Sequence, residues 1–283
     1  MKSTHLSRIN WQSNLMAVLA IAKKDWLHFL RYPLNAAFSV VQPIIWLTPL
    51  YFLGKSFSTP NGNVGFAAYA GTHDYMSFIL LGSFLSNYVS AVFWGMGYSL
   101  KNEMDSGVLE SNWMAPVARP LLLIGRTLAS LGINTLTGAC ILFLSWLFFG
   151  FRITGNLLSA FSAVLPMLIA LYGFGFAFAA IVLLMREANT LVDVSDFIVQ
   201  IMSGSHFPVG ALPRFLLPIS LAIPLTYGYD AVRGYLLNTR TIIPIRYEMA
   251  ILIVFMCIMA PLGYYVFKRV ERRCKAIGTL GLH

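Results

Sequence analysis

Few side chains in this sequence are equipped for chemistry, and those few are grouped. The decapeptide KNEMDSGVLE, residues 101–110, holds Glu103, Asp105 and Glu110, three of the chain's 11 acidic residues. Each would cost about 2.5–3.5 kcal/mol at the centre of a bilayer, so the segment belongs in water even if its flanks lie in lipid. Asp193 and Asp196 are i,i+3 neighbours near the start of a later apolar run. Intramembrane carboxylates are functional suspects, and with Arg186 close by, a salt-bridge or coupling role ranks ahead of a proton relay. His73 and Asp74 have no further ligand at helical spacing and read as a surface pair rather than a metal or proton site. His206 reads as a cap or interface residue. Gly54, Lys55 and Ser56 end like a phosphate-binding loop, but Pro49 stands where the first glycine is required. Cys140, Cys257 and Cys274 form no CxxC or Cys/His ligand spacing. Neither a catalytic residue nor a metal centre is predicted.

The elements that must position these groups are membrane helices. Of 283 residues, 58% are hydrophobic and 11% charged, and the mean hydropathy is +0.70, a composition in which runs of about 20 apolar residues recur. An all-α integral membrane protein with six spans follows, as a single transmembrane domain over 1–283. An amphipathic elbow helix over 15–33 is expected to lie in the membrane interface. Spans are expected at 34–54, 75–100, 121–151, 157–185, 191–203 and 247–267, with a charged loop at 101–119 and a tail at 268–283. The fifth run loses helical character at Gly204, which is short for a crossing. The segment from 204 to 237, interrupted by Pro208, Pro213, Pro218 and Pro224, is expected to form a re-entrant pair of short helices, because non-helical backbone at membrane depth needs protein or water around it. The initial polar residues followed by no cleavage-type site argue against a removable signal peptide.

Charge assigns the sides. Five Lys and Arg precede the first span, three lie in the charged loop and its flank, Arg186 follows, and five lie in the tail, against six elsewhere. That bias puts both termini in the cytoplasm. The net charge of +9 is dispersed, without an aromatic-basic platform or zinc-finger spacing, so the partner it suggests is anionic membrane lipid and not nucleic acid. Trp46, Phe84, Tyr88, Trp94 and Phe174 are candidates to line a path for lipophilic cargo, or equally to face lipid. Gly173 and Gly175 allow neighbouring helices to approach closely.

Taken alone, 101–119 reads as a solvated loop sooner than as an amphipathic docking helix interrupted at Gly107. Its pattern E-x-x-x-G-x-L-E-x-x-x-x-x-P-x-x-R-P-x-x-x-x-G-R, through Glu103, Gly107, Leu109, Glu110, Pro116, Arg119, Gly125 and Arg126, resembles the cytoplasmic loop of the type-2 ABC permeases. A second block, with Ser203, Gly204, Pro208, Leu212, Pro213, Pro224, Leu225, Thr226, Tyr227, Arg233 and Gly234 in order, resembles that family's external segment. The resemblance implies a membrane subunit of an ATP-driven exporter, paired with a second permease copy, as a homodimer, and with two copies of a separate ATPase subunit. No cofactor is expected on this chain, ATP and Mg belonging to that partner. It implies that 101–119 is a coupling helix: Glu103 and Glu110 would meet basic residues of the ATPase and Leu109 and Trp113 would fill its apolar part, with Arg186 and Glu187 as a second contact. Gly204, Pro208, Pro213 and Pro224 would shape the external re-entrant gate. The elbow and first span look more like the drug-type branch, so the expected cargo is an amphipathic small molecule or lipid exported across the cytoplasmic (inner) membrane. A polysaccharide or glycolipid exporter and an ion-driven transporter are the alternatives.

Overall fold

Where no water is available, every backbone N–H and C=O must be satisfied within the segment, and the helix achieves this. The computed structural model describes residues 11–57, 64–98, 101, 105, 107, 119–185 and 188–277, and its regular elements are all helical. They are α1 (Trp11–Arg31), α2 (Pro33–Ser56), α3 (Val64–Ala70), α4 (Tyr75–Ser90), a π-helix (Ala91–Tyr98) that continues α4, α5 (Arg119–Phe149), α6 (Leu157–Leu184), α7 (Ala188–Met202), a 3-10 turn (Val209–Ala211), α8 (Leu217–Ala222), α9 (Pro224–Leu237) and α10 (Ile245–Ile277).

Among the described residues, five stretches are long and apolar enough to cross a bilayer: Pro33–Ser56, Tyr75–Tyr98, Pro120–Phe149, Leu157–Leu184 and Ile245–Cys274. The remaining expected span, α7, has 15 residues, roughly 22 Å at about 1.5 Å per residue, less than the ~30 Å hydrocarbon core. It stops where the sequence suggested: Gly204 adopts φ +73°, a left-handed conformation that glycine takes without steric cost. The π-helical end of α4 is a departure from the regular span expected to 100. Gly97 in this stretch lets the Phe178 ring of α6 come within 2.8 Å of where a Cβ would stand.

The centre of the bundle is α4 and α6. Ile79, Leu80, Val89, Val92 and Phe93 on the first, and Ala163, Met167 and Val182 on the second, are fully buried. α10 lies along α6 through glycines: a methyl on Gly263 would overlap the Gly173 carbonyl, and one on Gly173 would come within 2.7 Å of the Met259 backbone. Gly175 faces Val92 on the other side, so the pair of glycines serves two close approaches. α1 runs beside α5, with Ile21 over Gly125 and Trp26 over Gly132.

The loops gather at two ends. At one, the Gly155 N–H donates to Leu236 O at 2.9 Å and the Arg240 N–H to Ala70 O at 2.9 Å, tying 150–156, α9, 238–244 and α3 together. At the other, Leu123, Ala179, Ala180, Leu183 and Phe267 form a second apolar cluster joining α5, α6 and α10. The π-helix reaches this end too, with Gly97 against Phe178 and Val182 of α6.

Candidate functional site

The charged loop is described at three positions. Lys101 and Asp105 form an i,i+4 salt bridge of 2.9 Å on helical backbone, with Lys101 buried and Asp105 exposed. Gly107 is exposed at φ +68°, and a methyl there would meet nothing within 4 Å. A regular helix is interrupted at this point, as the residue type suggested. Glu103, Leu109, Glu110, Trp113, Arg186 and Glu187 lie outside the described residues.

Both sides of that end lead into one polar node. Asp196, on α7 and 8% exposed, accepts from Ser90 Oγ at 3.0 Å and from Gln200 Nε2 at 2.8 Å, and the same Nε2 lies 2.9 Å from Ser90 Oγ. Ser90 is the last residue of α4 before the π-helix. Three side chains thus bind the element that leads into 101–118 to the element that leaves 186–187. Asp193, three residues earlier, is exposed, so the two aspartates have separate surroundings.

A second node closes the broken end of α7. A helix terminus leaves carbonyls without intrahelical donors, and here other segments supply the donors. Ser205 Oγ donates to Gln200 O at 2.9 Å, and Ser220 Oγ of α8 to Met202 O at 2.6 Å. Arg233 of α9, 2% exposed, donates through Nη1 to Gly204 O at 2.7 Å, through Nη2 to Ser205 O, and through Nε to Phe78 O of α4 at 3.2 Å. Its guanidinium carbon also lies 3.6 Å from the Phe78 ring centroid, a cation–π contact. Gly82 makes room for this: a methyl there would overlap the Ser205 carbonyl and the guanidinium.

The external residues expected to form a gate are grouped around this node. Gly204, at φ +73°, follows the last turn of α7, Pro208 precedes the 3-10 turn, Pro213 O accepts from the Leu216 and Leu217 N–H groups at 2.9 and 3.2 Å, and Pro224 begins α9. Two short helices, α8 and α9, lie within 204–237, the segment expected to hold a re-entrant pair. Asp74 caps α4 by accepting from the Ser77 N–H at 3.0 Å, which gives the His73–Asp74 pair a structural role. His206 Nδ1 lies 2.6 Å from Ser205 Oγ, at the interface of this segment.

Of the five candidate aromatics, Phe84 and Tyr88 meet edge to face at 5.6 Å, and the five do not line one cavity. Phe174 borders an apolar cavity of about 200 Å³ with Phe93, Met167, Val199, Pro224 and Leu252. Phe84 covers Gly138 of α5, and Tyr88 is buried with its hydroxyl 2.9 Å from Thr135 Oγ1. Trp94 stands edge-on to Tyr98, and Trp46 is 72% exposed on α2.

A family model described as ABC-2 type transporter matches residues 16–237. The chain belongs to the ABC-2 type transporter family. The match begins in α1 and ends at the last residue of α9, so it takes in the charged loop, both polar nodes and Gly204. Comparison with curated proteins gives no match. As an ABC-2 permease the chain is a multi-pass membrane protein whose task is transport, and membership implies an ABC ATPase as partner. The residues that pattern reading missed are Ser90, Gln200 and Gly82. Arg233 entered only as a motif position, without a contact to give it work.

Proposed function

We propose that this chain is the permease subunit of an ATP-driven exporter, moving an amphipathic small molecule or lipid out of the cytoplasm or inner leaflet. The reading is carried by the ABC-2 match over 16–237, which spans both nodes. Two identical copies work with two copies of a separate ATPase that holds ATP and Mg, in the cytoplasmic membrane with both termini inside. α1 serves as the elbow helix at the interface, and α7 completes the sixth crossing together with the segment after Gly204.

The mechanism uses the two ends of α7. Glu103 and Glu110 seat the loop in a basic cleft of the ATPase, with Leu109 and Trp113 in its apolar part and Arg186 and Glu187 beside it. Closure of the ATPases on ATP displaces the loop as a rigid body. The Asp196–Ser90–Gln200 node makes the π-helical end of α4 and the start of α7 move as one. Arg233 holds the other end, so α7 pivots near Gly204 and reshapes the apolar cavity beside Phe93, Phe174 and Val199. Hydrolysis resets the cycle.

The observation favouring a second reading is Asp196 itself, a buried carboxylate bound to neutral donors alone among the described residues, which an ion-driven transporter could use as a proton relay. Everted membrane vesicles separate the two readings. Uptake of a fluorescent amphipathic dye or lipid is expected to require ATP and to persist when ionophores collapse ion gradients. Uptake that ignores ATP depletion and stops with ionophores would replace the exporter by the ion-driven reading.

A further inference from the structure

A cavity of about 290 Å³ opens beside Arg233 at the end of the bundle that holds α3, and it differs in kind from the apolar cavity near Phe174. Ser203, Asp230, Arg233 and Arg240 line it. Arg233 has five N–H donors, and three are used on the carbonyls of Phe78, Gly204 and Ser205. Its charge is almost fully buried, and among the described residues no carboxylate forms a salt bridge with it. A buried charge is costly, and carbonyl dipoles, with Asp230 as the nearby carboxylate, offset only part of that cost.

An independent observation marks the same place. Ser203 is wholly buried and its Oγ has no hydrogen-bond partner, which is rare for a buried hydroxyl and calls for an explanation. Arg240 adds a second cation on the exposed side, its backbone fixed by the bond to Ala70 O. The carboxylate that lines the cavity is engaged in part: Asp230 Oδ2 accepts from the Ile242 N–H at 2.6 Å.

We infer that this cavity is an oxyanion-binding site, taking a phosphate group on the free N–H groups of Arg233, the Ser203 hydroxyl and the Arg240 guanidinium. Arg is suited to this because its planar fork meets two oxygens at once. The site stands apart from the export reading, since it rests on the cavity and its donors alone. The phosphate is either a free ion or the headgroup of a lipid.

The test is calorimetric titration of the full chain, purified in a maltoside detergent, with inorganic phosphate and separately with dihexanoyl phosphatidic acid, using dihexanoylglycerol as the neutral control. Saturable binding of inorganic phosphate supports a free-ion site, and binding of the short phosphatidic acid alone supports a headgroup site. In either case Ser203→Ala and Arg240→Gln are each expected to weaken binding about tenfold, the effect of losing one charge-assisted hydrogen bond. Asp230→Asn, which keeps the acceptor for Ile242, is expected to tighten it. Ser203→Ala removes no existing hydrogen bond and Arg240 is exposed, so both variants are expected to keep the wild-type melting temperature. Absence of saturable binding by both phosphate probes, or binding unchanged in both Ser203→Ala and Arg240→Gln, would overturn the site.

Discussion

The two polar nodes of α7 are built on opposite principles. At the Gly204 end a buried cation is served by three backbone carbonyls from two other segments. At the Asp196 end a buried carboxylate is served by a serine and a glutamine side chain. Backbone carbonyls cannot rotate away without moving the main chain that carries them, whereas a hydroxyl and an amide exchange partners by a rotamer change. The first arrangement makes a fixed point, and the second a joint that can be remade. A helix with one fixed end and one adjustable end is suited to carry motion from the charged loops to the middle of the bundle.

The comparison breaks most visibly at the fixed point. Arg233→Met would leave the Gly204 and Ser205 carbonyls without the donors seen here, at about 1–3 kcal/mol each, and is expected to abolish or greatly reduce the monodisperse peak in fluorescence-detected size exclusion. Arg233→Lys should not restore it, because one ammonium does not reach three diverging carbonyls as a planar fork does. A lysine variant with the wild-type melting temperature would show that charge alone matters there.

Gly82→Ala probes the same point from the α4 side. Its methyl would overlap the Ser205 carbonyl, and such overpacking typically costs about 1–3 kcal/mol, read as a lowered melting temperature with the chain still folded. An unchanged melting temperature would mean that the α7 end yields easily, contrary to a fixed point.

At the joint, Asp196→Asn keeps the shape and one acceptor, so a stability loss of about 1 kcal/mol or less is expected. Its effect should fall on transport per ATP hydrolysed, measured in proteoliposomes with the ATPase partner. Equal coupling ratios for Asp196→Asn and wild type would remove the joint from the mechanism. Trp46→Ala gives the smallest effect: the side chain is 72% exposed, and a melting temperature within error of wild type is expected.

How far these features were legible depends on the range of the interactions. The break at Gly204 could be read because a short apolar run, a glycine and nearby prolines are all local signals. The charged loop was equally plain, since three carboxylates in ten residues have no place in lipid. The work of Arg233 was not, because Gly204 is 29 residues away and Phe78 is 155. Ser90 and Asp196 are separated by 106, and nothing in a helical period reports such a pairing. The aromatics show another limit. In an apolar chain Trp46 and Phe174 have similar neighbours in sequence, and hydropathy does not separate a side chain facing lipid from one facing a cavity. The π-helical turn was hidden for a related reason, as Gly95 and Gly97 fit an ordinary close helix contact just as well.

The most direct test of the account is affinity purification of the tagged chain from its native membranes in mild detergent, with ATPase activity assayed and co-eluting chains identified. The account predicts a stoichiometric ATP-binding subunit that is lost when Glu103→Lys and Glu110→Lys are combined, while the permease itself remains folded. An intact, monodisperse chain that repeatedly emerges without any ATPase would contradict it.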